Sequence, residues 1–143
     1  MRKLCCALVL VSVIGLTACR RSRPNNCPKD MEEVPARSEP GKSVYCQSSD
    51  KKRAQWIEWH PKTTRPRQSC SYNDGKPTGS FTAWLPDGKP WIQGQYAMGF
   101  KTGKWRQWDA SGNLVAEGDY RSGRLVAGAP VAAMAGCERA ATK

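Results

Sequence analysis

The stretch Gly79-Ser80-Phe81-Thr82-Ala83-Trp84-Leu85-Pro86-Asp87-Gly88 recurs, in altered residues, as Gly103-Lys104-Trp105-Arg106-Gln107-Trp108-Asp109-Ala110-Ser111-Gly112, at an offset of 24 residues. The offset continues beyond the quoted segments, carrying Gly94 to Gly118, Tyr96 to Tyr120 and Gly99 to Gly123. A weaker copy comes first. Trp56 and Trp59 stand 25 residues before Phe81 and Trp84, and Tyr72 and Gly75 stand 24 before Tyr96 and Gly99. That copy holds one extra residue around Lys62 to Arg67, and it has Ala54 and Cys70 where the later copies have strand-bordering glycines. A fixed period of this length marks a repeat array, in which each unit buries its apolar side against the next.

Within a copy the residues read as two short strands joined by turns. Pro86-Asp87-Gly88-Lys89 and Ala110-Ser111-Gly112-Asn113 have hairpin-turn chemistry, with glycine where positive φ is needed. Asn73-Asp74-Gly75, Met98-Gly99 and Arg121-Ser122-Gly123 supply the turns between copies. In Leu114-Val115-Ala116-Glu117-Gly118-Asp119-Tyr120 polar residues fall on alternate positions, as a half-buried strand requires. Gly94 and Gly118, inside strands, point to bulges or to room for a neighbouring ring. Aromatic residues spaced three apart fall on opposite strand faces unless a bulge intervenes.

The spacing G-x-aromatic-x-x-Trp, then a turn ending in glycine, then Gly-x-Tyr-x-x-Gly, resembles the MORN-variant repeat of bacterial envelope proteins, some of them described as antitoxin-like. It covers residues 53–125. The resemblance implies an all-β fold: a row of β-hairpins making an elongated antiparallel sheet, with a distorted or bridged first hairpin. It brings no catalytic residue with it.

The flanks divide the rest. Residues 27–52 read as an N-terminal capping hairpin, with Val34, Val44 and Tyr45 as strand residues and Pro40-Gly41 as a turn. Residues 126–143 form an alanine-rich tail, either a short helix after Pro130 or an irregular segment capping the last repeat through Cys137.

At the amino terminus, Met1-Arg2-Lys3 is followed by an uncharged run from Leu4 to Ala18. That is the pattern of a secretory signal, too short for the roughly 20 apolar residues of a membrane span. Leu16-Thr17-Ala18-Cys19 resembles the bacterial lipobox. This implies removal of residues 1–18, a diacylglyceryl thioether on the Cys19 thiol and acylation of the new amino terminus. Two or more acyl chains hold a protein to a membrane lastingly. Cys5 and Cys6 belong to the removed segment. Residues 19–26 then form a flexible basic tether, whose Arg20, Arg21 and Arg23 would each gain about 1 kcal/mol beside anionic headgroups. Arg20 stands where an aspartate would resemble an inner-membrane retention signal, so the outer membrane is favoured.

Residues 19–143 carry 21 basic side chains against 12 acidic ones. The balance attracts acidic partners. Export removes the chain from nucleic acid and leaves anionic lipid headgroups, lipopolysaccharide phosphates or a protein as candidates. The densest basic stretch contains Lys51, Lys52, Arg53, Lys62, Arg65 and Arg67, with Trp56 and Trp59 among them. Cations beside aromatic rings suit anionic or glycan ligands.

After Cys19 four cysteines remain, Cys27, Cys46, Cys70 and Cys137. In a small exported domain an even number reads as two disulfides. Of three connectivities, Cys27–Cys46 with Cys70–Cys137 is favoured: the first closes a local loop and the second ties the tail to the repeats. A zinc site would need more, since no CxxC pair exists and His60 is the only histidine. No serine pairs with it in a recognisable motif. Glu58, Asp74, Asp87, Glu117 and Asp119 are explained by turns or exposed strand faces. The sequence therefore calls for no catalytic residue, metal or cofactor. Its leading reading is a non-enzymatic, membrane-anchored envelope lipoprotein with a binding or scaffold surface. The alternative is an antitoxin or immunity protein acting by protein–protein contact.

Overall fold

The computed structural model describes residues 27–39, 42–132 and 137. The signal segment, Cys19, the tether, Pro40-Gly41 and most of the alanine-rich tail lie outside the described residues. Nine strands follow one another: β1 (Met31–Glu33), β2 (Ser43–Ser48), β3 (Arg53–Trp59), β4 (Pro66–Asn73), β5 (Lys76–Trp84), β6 (Pro90–Ala97), β7 (Phe100–Trp108), β8 (Leu114–Arg121) and β9 (Arg124–Gly128). Each pairs antiparallel with the next, so spatial order equals chain order and the sheet is an open meander. The all-β expectation holds. The hairpin from residue 27 onward is continuous with the repeats, because β2 pairs directly with β3. Val34 leaves the strand to open a single 3₁₀ turn, Pro35–Arg37.

Turn chemistry explains the hairpins. Asp74-Gly75, Met98-Gly99 and Ser122-Gly123 each place two consecutive residues at positive φ. They join strands whose last paired residues leave a two-residue loop: Asn73↔Lys76, Ala97↔Phe100 and Arg121↔Arg124. These are type I′ turns, whose twist matches that of the strands. At the other end of the sheet, longer connections span residues 60–65, 85–89 and 109–113.

Two irregularities repeat with the sequence. The ladder shifts before Trp59, Trp84 and Trp108, and the extra residue lies on the partner strand at Arg67, Trp91 or Val115. Alternation from Phe81 to Trp84 on β5 and from Trp105 to Trp108 on β7 is therefore unbroken. Phe81 and Trp105 are 1% exposed in the core, while Trp84 and Trp108 stand half-buried at the strand ends. The second shift opposes Cys70 and Gly94 to three residues each on the following strand, where Gly79 and Gly103 take positive φ. The hairpin of the first copy, expected to be distorted or bridged, pairs regularly from Arg53↔Asn73 to Glu58↔Gln68, has the same shift before Trp59 as the later copies, and is bridged to Cys137 at Cys70.

One face of the sheet is aromatic. Phe81 stacks on Trp105 at 5.5 Å between centroids, and Tyr96 meets both edge-on. Tyr120 continues the row on β8, and Tyr45 and Tyr72 lie 6.3 Å apart toward the N-terminal strands. A single sheet cannot cover such a face by itself. Here Val131, Ala132 and Cys137, the described residues beyond Pro130, return over it. Val131 donates its backbone N–H to Tyr120 Oη at 3.1 Å, and Ala132 donates to Gln107 Oε1 at 2.9 Å. Tyr72 Oη donates to the Cys137 carbonyl at 2.8 Å, and Cys137, 1% exposed, is bonded to Cys70. The second disulfide joins Cys27 to Cys46. Both pairings are the favoured ones.

Candidate functional site

The basic stretch that looks continuous in sequence is divided by the fold. Lys51, Lys52 and Arg53 begin β3 at the end of the sheet that carries the tight turns. Lys62, Arg65 and Arg67 lie at the opposite end, roughly 20 Å away along a seven-residue strand. Between them, Trp56 packs half-buried against the aromatic core and Trp59 is 5% exposed. The eight residues do not make one patch, because an extended strand carries its two ends apart. Both tryptophans contribute packing.

At the loop end the cations other than Lys62 are engaged. Arg67 pairs with Glu58 at 3.6 Å, Arg65 donates to the Pro86 carbonyl, and Lys89 pairs with Asp87 while donating to the Ala110 carbonyl. His60 Nε2 donates to the Trp84 carbonyl at 2.9 Å, which ties the first two copies together and occupies that nitrogen. Backbone N–H groups donated to the carboxylates of Asp87 and Asp109 hold both below the usual aspartate range.

The turn end is different. Every hairpin from β2–β3 to β8–β9 that turns tightly turns here, so residues far apart in sequence share one rim: Lys51, Lys52, Lys76, Met98, Phe100, Arg121 and Arg124. Lys51, Lys76, Arg121 and Arg124 are exposed and make no ion pair with another described residue. Arg53 pairs with Asp30 at 2.7 Å, which lowers the Asp30 pKa. Met98 is 74% and Phe100 56% exposed. Reading the basic stretch as a local cluster misses this rim. Its signal is the repeat phase, since Lys76, Phe100 and Arg124 are 24 residues apart.

The second face of the sheet is polar. Ser69, Thr82, Gln93, Arg106 and Glu117 are in register across β4 to β8 and share that face. Arg106 Nε and Lys104 Nζ bind Glu117 at 2.7 and 2.9 Å, and Lys104 also reaches Asp119. Hydrogen bonds from Arg106, then Lys104, lower the Glu117 pKa, and Glu117 in turn raises that of Lys104. An open cleft of about 450 Å³ lies between Pro28, Met31, Arg53, Gln55, Ser71 and Asn73. No group of three or more His, Cys, Asp or Glu residues suited to a metal occurs among the described residues, and no helix there is long and apolar enough to cross a membrane.

No protein-family model and no curated protein matches the sequence. Among solved structures, the chain is similar to the pneumococcal O-GlcNAc transferase GtfA in complex with UDP and GlcNAc, at 8% identity and TM-score 0.43, over 68% of this chain and 19% of that one. A GtfA/B complex matches at 11% identity and TM-score 0.41, over 68% and 18%. The S. aureus protein TarM, a mutant in complex with Fondaparinux, alpha-GlcNAc-glycerol and UDP, matches at 14% and 0.35, over 64% and 20%. The chain spans about a fifth of the length of these proteins, and likeness at this level bears on neither activity nor substrate.

Proposed function

We propose that the chain is a non-enzymatic envelope lipoprotein, anchored through acylated Cys19, whose β-repeat domain is a binding or scaffold surface. One observation carries the reading. On the open polar face Gln55 pairs with Ser69, and Lys104 and Arg106 pair with Glu117, so these side chains face solvent across strands rather than one another around an enclosed pocket. A surface of that form suits extended or macromolecular ligands better than small substrates. Excess positive charge supports anionic envelope components or a protein as those ligands.

The test is metabolic labelling with a palmitate analogue in a bacterial host, comparing the natural chain with Cys19→Ala. Mass spectrometry of the mature amino terminus accompanies it. Label on the natural chain alone, starting at a modified Cys19, supports the anchor; an unlabelled chain cut elsewhere overturns it.

A second reading, an antitoxin or immunity protein, has its own support in β9. No strand lies beyond β9 in the sheet order of the described residues, and its Leu125 and Val126 are exposed. An open edge of this kind accepts a strand from another protein. Relief of a neighbouring gene's toxicity by this chain, abolished by Val126→Pro, would favour it.

A further inference from the structure

Met98 and Phe100 break the rules that the rest of the array obeys. Met98 sits at φ +50, in a turn position that the other copies fill with Asp74 and Ser122. That backbone region suits glycine, asparagine or aspartate, and methionine brings nothing to the turn itself. Phe100 follows in the position that Lys76 and Arg124 occupy elsewhere. The two residues present large apolar side chains to solvent, although the same hairpin, β6 and β7, places Tyr96 and Trp105 in the core.

Their neighbours give the exposure a meaning. Adjacent tight turns stand two strands apart, about 10 Å. The apolar turn is therefore flanked by Lys76 on one side and by Arg121 and Arg124 on the other, with Lys51 and Lys52 further along the rim. The carboxylates of the same rim are Asp50, which accepts from Ser48 Oγ and the Lys52 amide, Asp74, and Asp30, already paired with Arg53. Cations prevail there. The described chain also enters the fold at this end, where Asp30 meets Arg53 and Pro28 lines the cleft with Asn73. Seven residues lie between Cys19 and Cys27, and the eight Cα steps reach at most about 28 Å.

We propose that the tight-turn rim docks on an anionic lipid bilayer, with Met98 and Phe100 entering the headgroup region and Lys76, Arg121 and Arg124 on the lipid phosphates. The inference rests on the lipid-anchored reading, which brings this rim to the membrane, and it fixes how the domain stands there. Apolar side chains contribute insertion, and each basic side chain near an anionic surface raises the partition about fivefold. The polar face and the β9 edge are thereby left upright and open to other envelope components.

The experiment is oxidation of Met98 by dilute peroxide, read by mass spectrometry on the mature full-length protein. The protein is reconstituted in vesicles of phosphatidylglycerol with phosphatidylcholine, or of phosphatidylcholine alone. Free methionine added to the same sample serves as the internal standard. Met98 should oxidise at least fivefold more slowly on the anionic vesicles. In Lys76→Glu/Arg121→Glu/Arg124→Glu the two vesicles should give equal Met98 rates. Equal rates for the natural protein overturn the proposal. Protection that appears only when a soluble envelope fraction is added overturns it in favour of a protein partner. The amino-terminal peptide of the same sample reports the anchor separately. If it is unmodified, the anchored reading fails, and the unanchored chain is run with both vesicles. Protection on the anionic ones alone still supports docking, and none refutes it.

Discussion

Gly94 lies under the Trp105 indole, and a Cβ placed there would overlap the ring. Gly94→Ala should therefore cost about 2 to 3 kcal/mol, because the ring must move within a packed row. Gly112→Ala is a useful contrast. Its surroundings are open and only its φ of +92° resists a side chain, so it should cost about 1 kcal/mol. Urea midpoints at constant m distinguish the two. Tyr72 is the other informative residue. Burial, and then the neighbouring Tyr45 and Tyr96, raise its pKa above the ordinary tyrosine value. Because the folded pKa exceeds the unfolded one, the associated stability is present below about pH 10 and lost as pH rises beyond it. Tyr72→Phe should flatten that alkaline limb while costing about 1 kcal/mol at neutral pH, since the Cys137 carbonyl loses its donor.

The tail is the element on which the sheet depends. The Cys70–Cys137 bridge closes 67 residues and Cys27–Cys46 closes 19. Restriction of the unfolded chain then contributes about 4 and about 3 kcal/mol respectively. Cys70→Ser/Cys137→Ser should lose the larger amount and also bind a hydrophobic dye, because the tail no longer holds Val131 and Cys137 over the aromatic row. Cys27→Ser/Cys46→Ser should lose the smaller amount without dye binding. Equal dye binding by both variants would mean that the tail stays in place without its bridge. The hairpin elements were legible from residue types alone. Asp74-Gly75, Ser122-Gly123 and Pro86-Asp87-Gly88 state their turns in the sequence, and the bulges recur because Gly79 and Gly103 do.

For the molecule as a whole, acid should weaken the fold gradually. Asp30, Asp50, Asp87, Asp109 and Glu117 all have folded pKa values lowered by hydrogen bonds. Their contribution is complete above the unfolded carboxylate value of about 4 and is lost as pH falls through the lower folded values. The urea midpoint should thus decline from about pH 5 toward about pH 2, and the decline should be shallower in high salt, since these groups are exposed. A flat acid limb would mean that the carboxylates keep their partners in the unfolded chain.

Periodicity determined the array. Turn residues, glycines and aromatics are local signals, and a meander in which each strand pairs with the next asks for nothing more. The disulfide pairing was narrowed from residue spacing, since few connectivities exist. The tertiary structure decided which cations stand together. Lys51 and Arg67 are close in sequence yet lie at opposite ends of the sheet, whereas Lys76, Phe100 and Arg124 are brought to one rim by antiparallel folding. It decided also that Val131 and Cys137 lie over the aromatic face. Cys137 signals in the sequence that the tail is tied to the repeats, but that Val131 packs on the aromatic face is set by a sheet surface that exists only once the strands have paired.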